Sequence, residues 1–421
     1  MLRHWARSIV LAAGLIGGLG APAWAGAGAA DIVAHSVTES SASARPFDGM
    51  QLAQTDLVLE GLADEFVGGA IAEPVEAPAV MPILPPTRVA LLLPTRSEGL
   101  AQVADAVRAG FMAAWQHERA NIVVNLVETG DAPQDVLASY QAAAAANDLV
   151  VGPLTRSGVT AILQNRAVVK PTIALAQPET NDAPSANLLA MGLSVEDEAR
   201  QVAHEVGSGK GAMKAFAIST GVSWQRRAAS AFVSAWRGMG LQAEAIELPM
   251  TSGFINANGL LELRNRIQAA RPALLFVALD AAQTVQLRLG IGGEVSTYGT
   301  SQMNPYSLAD WPTATRLLDL EGVRLLDMPW QLQADHAAVM TYPKLPQVAD
   351  QRRSPDVERL YALGIDAYRV AHNIALKQSD FRLDGVTGQL MIHFDGRSSR
   401  FERVLQPAIY REGMVQPLQA P

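Results

Sequence analysis

The chain has 421 residues, 49% of them hydrophobic and 18% charged, with a formal charge of −8. That length accommodates two packed cores, and the acidic balance argues against a surface built to track nucleic-acid phosphates. Cysteine is absent, which excludes disulfides, thiolate metal sites, a cysteine nucleophile and a lipid-modified cysteine.

Arg3 and Arg7 form a positive start, residues 9–19 are apolar, and Ala23-Trp24-Ala25 puts small residues where a signal peptidase reads. The apolar run is shorter than the roughly 20 residues a bilayer span needs. A cleavable signal peptide over 1–25 is expected, with the mature protein in the periplasm, no lipoprotein and no membrane anchor. Residues 26–86 open rich in Gly and Ala and end in Pro74, Pro78, Pro82, Pro85 and Pro86. They carry nine acids against Arg45 alone, so this stretch accounts for the chain's net charge. Such composition self-repels and predicts an extended, disordered acidic Pro/Ala-rich linker.

The texture changes at residue 88. RVALLL (88–93) is a continuous apolar run stopped by Pro94, as expected of a strand buried on both faces. Leu100, Val103, Ala104, Val107, Phe111, Ala114 and Trp115 then recur at helical spacing. The alternation continues, with strands predicted at 121–129, 148–152, 171–176 and 188–192. A second series follows a helix opening at Ser194, whose first turn holds Glu196, Asp197 and Glu198. It predicts strands at 214–220, 242–248, 273–279, 295–301 and 322–330, with helices between them. A long helix is predicted over 355–377, then a hairpin of 388–394 and 400–410 around Asp395-Gly396. Strands alternating with helices imply parallel sheets with right-handed crossovers. The expectation is an α/β protein of two Rossmann-like lobes, 87–193 plus 331–379 and 194–330 plus 380–421.

Familiar catalytic patterns fail. Gly207-Ser208-Gly209-Lys210-Gly211 lacks the first Gly and the Ser/Thr of a phosphate loop, and it precedes a strand. The seven histidines show no metal-ligand spacing, and no GxSxG elbow or SxxK/KTG set is present. Asp280 and Asp327, near strand ends, could pair for acid–base work or simply cap and solvate. What remains is a cleft. Ligands of open α/β sheets lie beyond the carboxyl ends of the strands, near helix N-termini. Thr95, Ser97, Gly152 and Thr155 follow the first and third strands; Trp224, Asp280 and Tyr306 follow strands of the second series. These seven are the candidate ligand-binding residues, with Ser97 and Thr155 read alternatively as helix caps. No catalytic residue, metal or cofactor is expected.

VALLLP (89–94), Val107-Arg108-Ala109-Gly110-Phe111, VVGPLT (150–155), Trp224-Gln225-Arg226, Asn304-Pro305, Met328-Pro329-Trp330 and RLYALGIDAYR (359–369) carry a resemblance, closed by Thr387-Gly388-Gln389-Leu390 and residues 396–400. The chain resembles type I periplasmic binding proteins, and more specifically the LppC/LpoA family of penicillin-binding-protein activators. The resemblance implies a type I periplasmic-binding-protein architecture. It also implies a non-catalytic regulator that binds a class A penicillin-binding protein and stimulates peptidoglycan synthesis. Family members of this role are lipoproteins with an N-terminal helical-repeat domain, and neither an acylated Cys nor room for that domain is found before residue 88. The alternative is a solute-binding receptor for an amino acid or similar small molecule. A receptor needs polar groups converging from both lobes; an activator is expected to have its cleft filled by side chains such as Trp224 or Trp330.

Overall fold

The computed structural model describes residues 85–118, 120–180, 185–209, 213–306, 316–345 and 354–418. The expected signal peptide and, up to residue 84, the acidic linker lie outside the described residues.

The first series forms a sheet with helical crossovers: β1 (Thr87–Leu93), α1 (Ala101–Glu118), β2 (Ile122–Glu128), α2 (Pro133–Ala146), β3 (Leu149–Val151), α3 (Arg156–Gln164), β4 (Thr172–Ala174) and β5 (Leu188–Ala190). Its strand order is β2-β1-β3-β4-β5, parallel throughout. The unbroken apolar run of β1 follows from burial on both faces. Val89, Leu91 and Leu93 enter one core, and Ala90 and Leu92 enter another.

The second series runs through α4 (Val195–Gly207), β6 (Lys214–Thr220), α5 (Ser223–Gly238), β7 (Gln242–Leu248), a small hairpin of β8 (Met250–Thr251) and β9 (Phe254–Ile255), α6 (Ala257–Ala270), β10 (Leu274–Val277), α7 (Ala281–Ile291), β11 (Thr297–Gly299) and β12 (Arg324–Asp327). The chain then returns to the first lobe through α8 (Pro329–Leu332), α9 (Ala337–Thr341) and α10 (Pro355–Ala375). Three strands, β13 (Asp380–Gly385), β14 (Gly388–Phe394) and β15 (Ser399–Val404), make a separate antiparallel sheet beside β5. Finally β16 (Gln406–Arg411) and β17 (Met414–Pro417) add antiparallel strands to the second sheet, ordered β17-β16-β12-β11-β10-β6-β7. The hairpin expected around Asp395-Gly396 forms, with His393 opposite Arg400. The run expected as one strand over 400–410 is divided at Leu405. β15 stays with its hairpin, and β16 pairs with β12 of the second sheet.

Packing explains the residues of the long helix. At Gly110 of α1 and Gly364 of α10, an added Cβ would overlap the backbone of the facing helix at Tyr361 and Val107. Glycine at both places lets the two helices touch along their backbones, and Phe111 meets Tyr368 edge-on at 5.3 Å beside that contact. One apolar cluster runs from the α1/α10 face of the first sheet, through Met328, Trp330 and Leu405, to the α4/α5 face of the second. The opposite faces keep their own clusters. A shared core of this kind opposes free rotation of one lobe against the other.

Candidate functional site

The carboxyl ends of the strands are where ligands of open α/β sheets bind, and most of the polar groups that the sequence places there are engaged internally. Thr155 caps α3, its Oγ1 accepting from Gly158 N (3.2 Å). Ser97 caps no helix; its Oγ donates to Asp131 Oδ2 (3.1 Å). Gly152 has φ of +116°, a Cβ there would overlap Leu92 O, and its amide donates to Ile173 O (2.8 Å). Asp280 closes a capping box on α7: Oδ1 accepts from Gln283 N (2.7 Å), and Gln283 Oε1 accepts from Asp280 N (3.3 Å). Tyr306 N donates to Asn304 Oδ1 (3.3 Å). Thr95 Oγ1 is buried and finds no partner among the described residues. Asp280 and Asp327 form no acid–base pair, because one caps a helix and the other is held by an arginine.

What spans the cleft is an ion cluster built from three helix starts. Arg156 is the first residue of α3, after β3 of the first sheet. Glu196 lies in the first turn of α4, and Arg227 in the second turn of α5, after β6 of the second sheet. Arg227 Nε donates to Glu196 Oε1 (2.6 Å), and Arg156 Nη1 lies 3.6 Å from the same oxygen. Arg156 Nη2 donates to Pro178 O (2.9 Å). Burial pushes the Arg156 guanidinium below its usual range, opposed by the Glu196 charge.

A second cluster lies where the chain crosses between lobes, at 191–194, 327–330 and 404–406. Side chains cross-tie these segments. Arg403 donates to Gly192 O (3.0 Å), Met191 O (2.9 Å) and Thr387 Oγ1 (3.1 Å). Gln201 exchanges two hydrogen bonds with the Leu405 backbone (2.9 and 3.0 Å). Beneath them Asp327, fully buried, accepts from Arg359 Nη2 (2.9 Å), Asn304 Nδ2 (2.8 Å) and Met328 N (2.9 Å). Arg359 also donates to Asp356 Oδ1 (3.1 Å), Ser301 O (3.0 Å) and Asn304 O (3.2 Å). Glu198 accepts from Ser301 N (2.7 Å) and Ser301 Oγ (3.0 Å). Burial, opposed by those bonds and reinforced by the Asp327 charge, pushes the Glu198 carboxyl up to about 7.

This cluster floors a cavity of about 490 Å³ walled by Leu193, Gln201, Trp224, Leu360, Phe401 and Leu405. Of the seven sequence candidates only Trp224 lines it; the other six do not. Trp330 lies within the core, its Nε1 donating to Glu358 Oε2 (2.8 Å). The Ser301 hydroxyl donates to the Glu198 carboxylate here, so the cavity floor offers hydrogen bonding and charge.

One constellation escaped the sequence reading. His393 Nδ1 lies 2.6 Å from Asp380 Oδ1 and its Nε2 lies 2.7 Å from Ser398 Oγ, the order of an acid–base–nucleophile triad. Its surroundings oppose that chemistry. Asp395 Oδ1 accepts the amides of Arg397 and Ser398 (2.8 Å each), so donors that would steady an oxyanion are occupied. The same carboxylate lies 3.5 Å from Ser398 Oγ, where negative charge would develop. The Asp380 hydrogen bond raises the pKa of His393. The group fastens the exposed β14–β15 turn. Strand register alone brings Asp380 opposite His393, so no local motif announces it.

Among the described residues, no group of three or more His, Cys, Asp or Glu is placed to hold a metal ion, and no helix is long and apolar enough to cross a membrane. The family described as "LppC putative lipoprotein" matches residues 73–413. The penicillin-binding protein activator LpoA of Yersinia pseudotuberculosis serotype O:1b (strain IP 31758) is 28% identical over 342 residues, covering 71% of this chain and 50% of that protein. The chain thus spans about half the length of the curated relatives it matches. A structure from Chromobacterium violaceum ATCC 12472, described as "a putative branched-chain amino acid ABC transporter", is 32% identical with a TM-score of 0.60, covering 77% of this chain and 100% of that one. Full-length LpoA from Haemophilus influenzae, at 21% identity and a TM-score of 0.62, covers 79% of this chain and 59% of that one and shares the fold.

Proposed function

Because the chain belongs to the LppC family, we propose that it is a non-catalytic periplasmic regulator of peptidoglycan synthesis, which binds a class A penicillin-binding protein and stimulates it. The family match runs over residues 73–413, through both lobes and the crossings between them, and the similarity to relatives named as penicillin-binding protein activators is the observation that carries this reading. The state of the cleft supports it. A solute receptor presents free polar groups to its ligand, whereas Ser97, Gly152, Thr155 and Asp280 are bonded within the chain and Glu196 bridges the two lobes. Activation then proceeds by docking, the regulator shifting its partner toward the more active of two conformations.

A second reading, an amino-acid receptor, is favoured by the similarity to the Chromobacterium violaceum structure and its description. Two experiments separate the readings. Immobilised protein exposed to envelope extract is expected to retain a penicillin-labelled synthase, and no enrichment over a bare matrix counts against the regulator. Thermal denaturation with branched-chain and acidic amino acids is expected to leave the melting temperature unmoved. A receptor with ligand at 100 times its Kd gains about 2.7 kcal/mol, which would show plainly.

A further inference from the structure

We infer that Arg156 and Arg227 form a carboxylate-binding site across the interlobe cleft, and that this chain occupies it with its own Glu196. The two guanidiniums come from helices opening after strands of two different sheets, where a ligand of this fold class would lie. They converge on a single oxygen, Glu196 Oε1, at 3.6 and 2.6 Å. The Glu196 side chain is 15% exposed and those of Arg156 and Arg227 are 20% and 33% exposed, so the cluster is largely withdrawn from water yet reachable from it.

The fit of the resident carboxylate is incomplete. A guanidinium meets a carboxylate best through two parallel N–H···O bonds. Glu196 satisfies Arg227 Nε alone, and Arg227 Nη2 is buried without a partner among the described residues. The other oxygen, Oε2, takes a long bond from Ser194 Oγ (3.4 Å). Two guanidiniums thus converge on one carboxylate oxygen, with the Glu179 charge also acting on Arg156, and one buried donor faces no acceptor among the described residues. A free carboxylate, not tethered to α4, has the freedom to lie across both Nε and Nη2. The cleft is therefore an anion receptor closed by an internal ligand, whatever partner the protein serves.

The test is rescue by a small carboxylate. Wild-type protein and Glu196→Ala are titrated with sodium propionate at constant ionic strength, with sodium chloride as control, and the melting temperature is read. The wild type is expected to respond to propionate no more than to chloride. Glu196→Ala is expected to be stabilised with an apparent Kd at least about tenfold lower than that of the wild type. Glu196→Ala combined with Arg227→Met is expected to lose the response. A wild type that binds propionate as well as the variant, or a variant that responds only as it does to chloride, overturns the inference. So does a double variant that keeps the response. Should Glu196→Ala not fold unaided, refolding with propionate but not with propanol is the expected outcome, and failure with both counts as refutation.

Discussion

Two regions of this molecule set carboxylates against guanidiniums, in opposite proportion and opposite depth. In the cleft one carboxylate, Glu196, lies between Arg156 and Arg227, each partly open to water. At the lobe crossings one guanidinium, Arg359, serves Asp327 and Asp356 beside Glu198, in a pocket where Asp327 has no exposure. The deep cluster meets the condition for burying charge, since Asp327 and Arg359 each have several hydrogen-bond partners. The shallow cluster leaves a donor unmatched. Deep charge here fixes the crossings, and shallow charge leaves something to exchange.

The comparison breaks first at Arg359. Arg359→Met leaves Asp327 buried without its counter-ion and is expected to cost about 3–5 kcal/mol in urea unfolding; a loss below about 1 kcal/mol would put the two clusters on the same footing. Next comes proton linkage at Glu198. Its carboxyl is raised from 4.5 to about 7 in the folded state, so the native protein holds a proton that the unfolded chain releases. The contribution is fully present below about pH 4.5 and is lost as pH rises toward 7, by about 3 kcal/mol over that window. Burial raises Asp356 and Glu205 in the same direction. Unfolding measured at pH 5, 6 and 7 is expected to show stability falling, and Glu198→Gln is expected to flatten most of the slope.

The cleft responds more weakly. Glu196→Gln is expected to cost about 1 kcal/mol, as for a pair between the exposed and the fully buried case. Salt gives the smallest and sharpest contrast. At 1 M the screening length falls to about 3 Å, so the gap between wild type and Glu196→Gln should shrink while that for Arg359→Met persists. Equal shrinkage would erase the distinction of depth.

Much of the architecture was legible because it is local. The double-sided burial of β1, the cap at Thr155 and the long helix α10 are written in neighbouring residues. Non-local pairing was not. Asp327 finds Arg359 across 32 positions and Glu196 finds Arg156 across 40, through chain crossings that no spacing rule encodes. The segment 400–410 reads as one strand because it follows the turn at Asp395-Gly396 as the second arm of a hairpin, yet tertiary pairing divides it between two sheets at Leu405. Of the candidate site residues, those at strand ends were located by topology. Their availability to a ligand depended on partners such as Asp131 and Gln283, which only the folded chain reveals.

Whether this body regulates a synthase is measured most directly on that synthase's rate. Glycan polymerisation by a purified class A penicillin-binding protein from the same cell is followed with and without the full chain, at concentrations up to saturation. A faster rate that saturates with added protein is expected of a regulator. An unchanged rate, alongside tight binding of an amino acid by the chain alone, would contradict it.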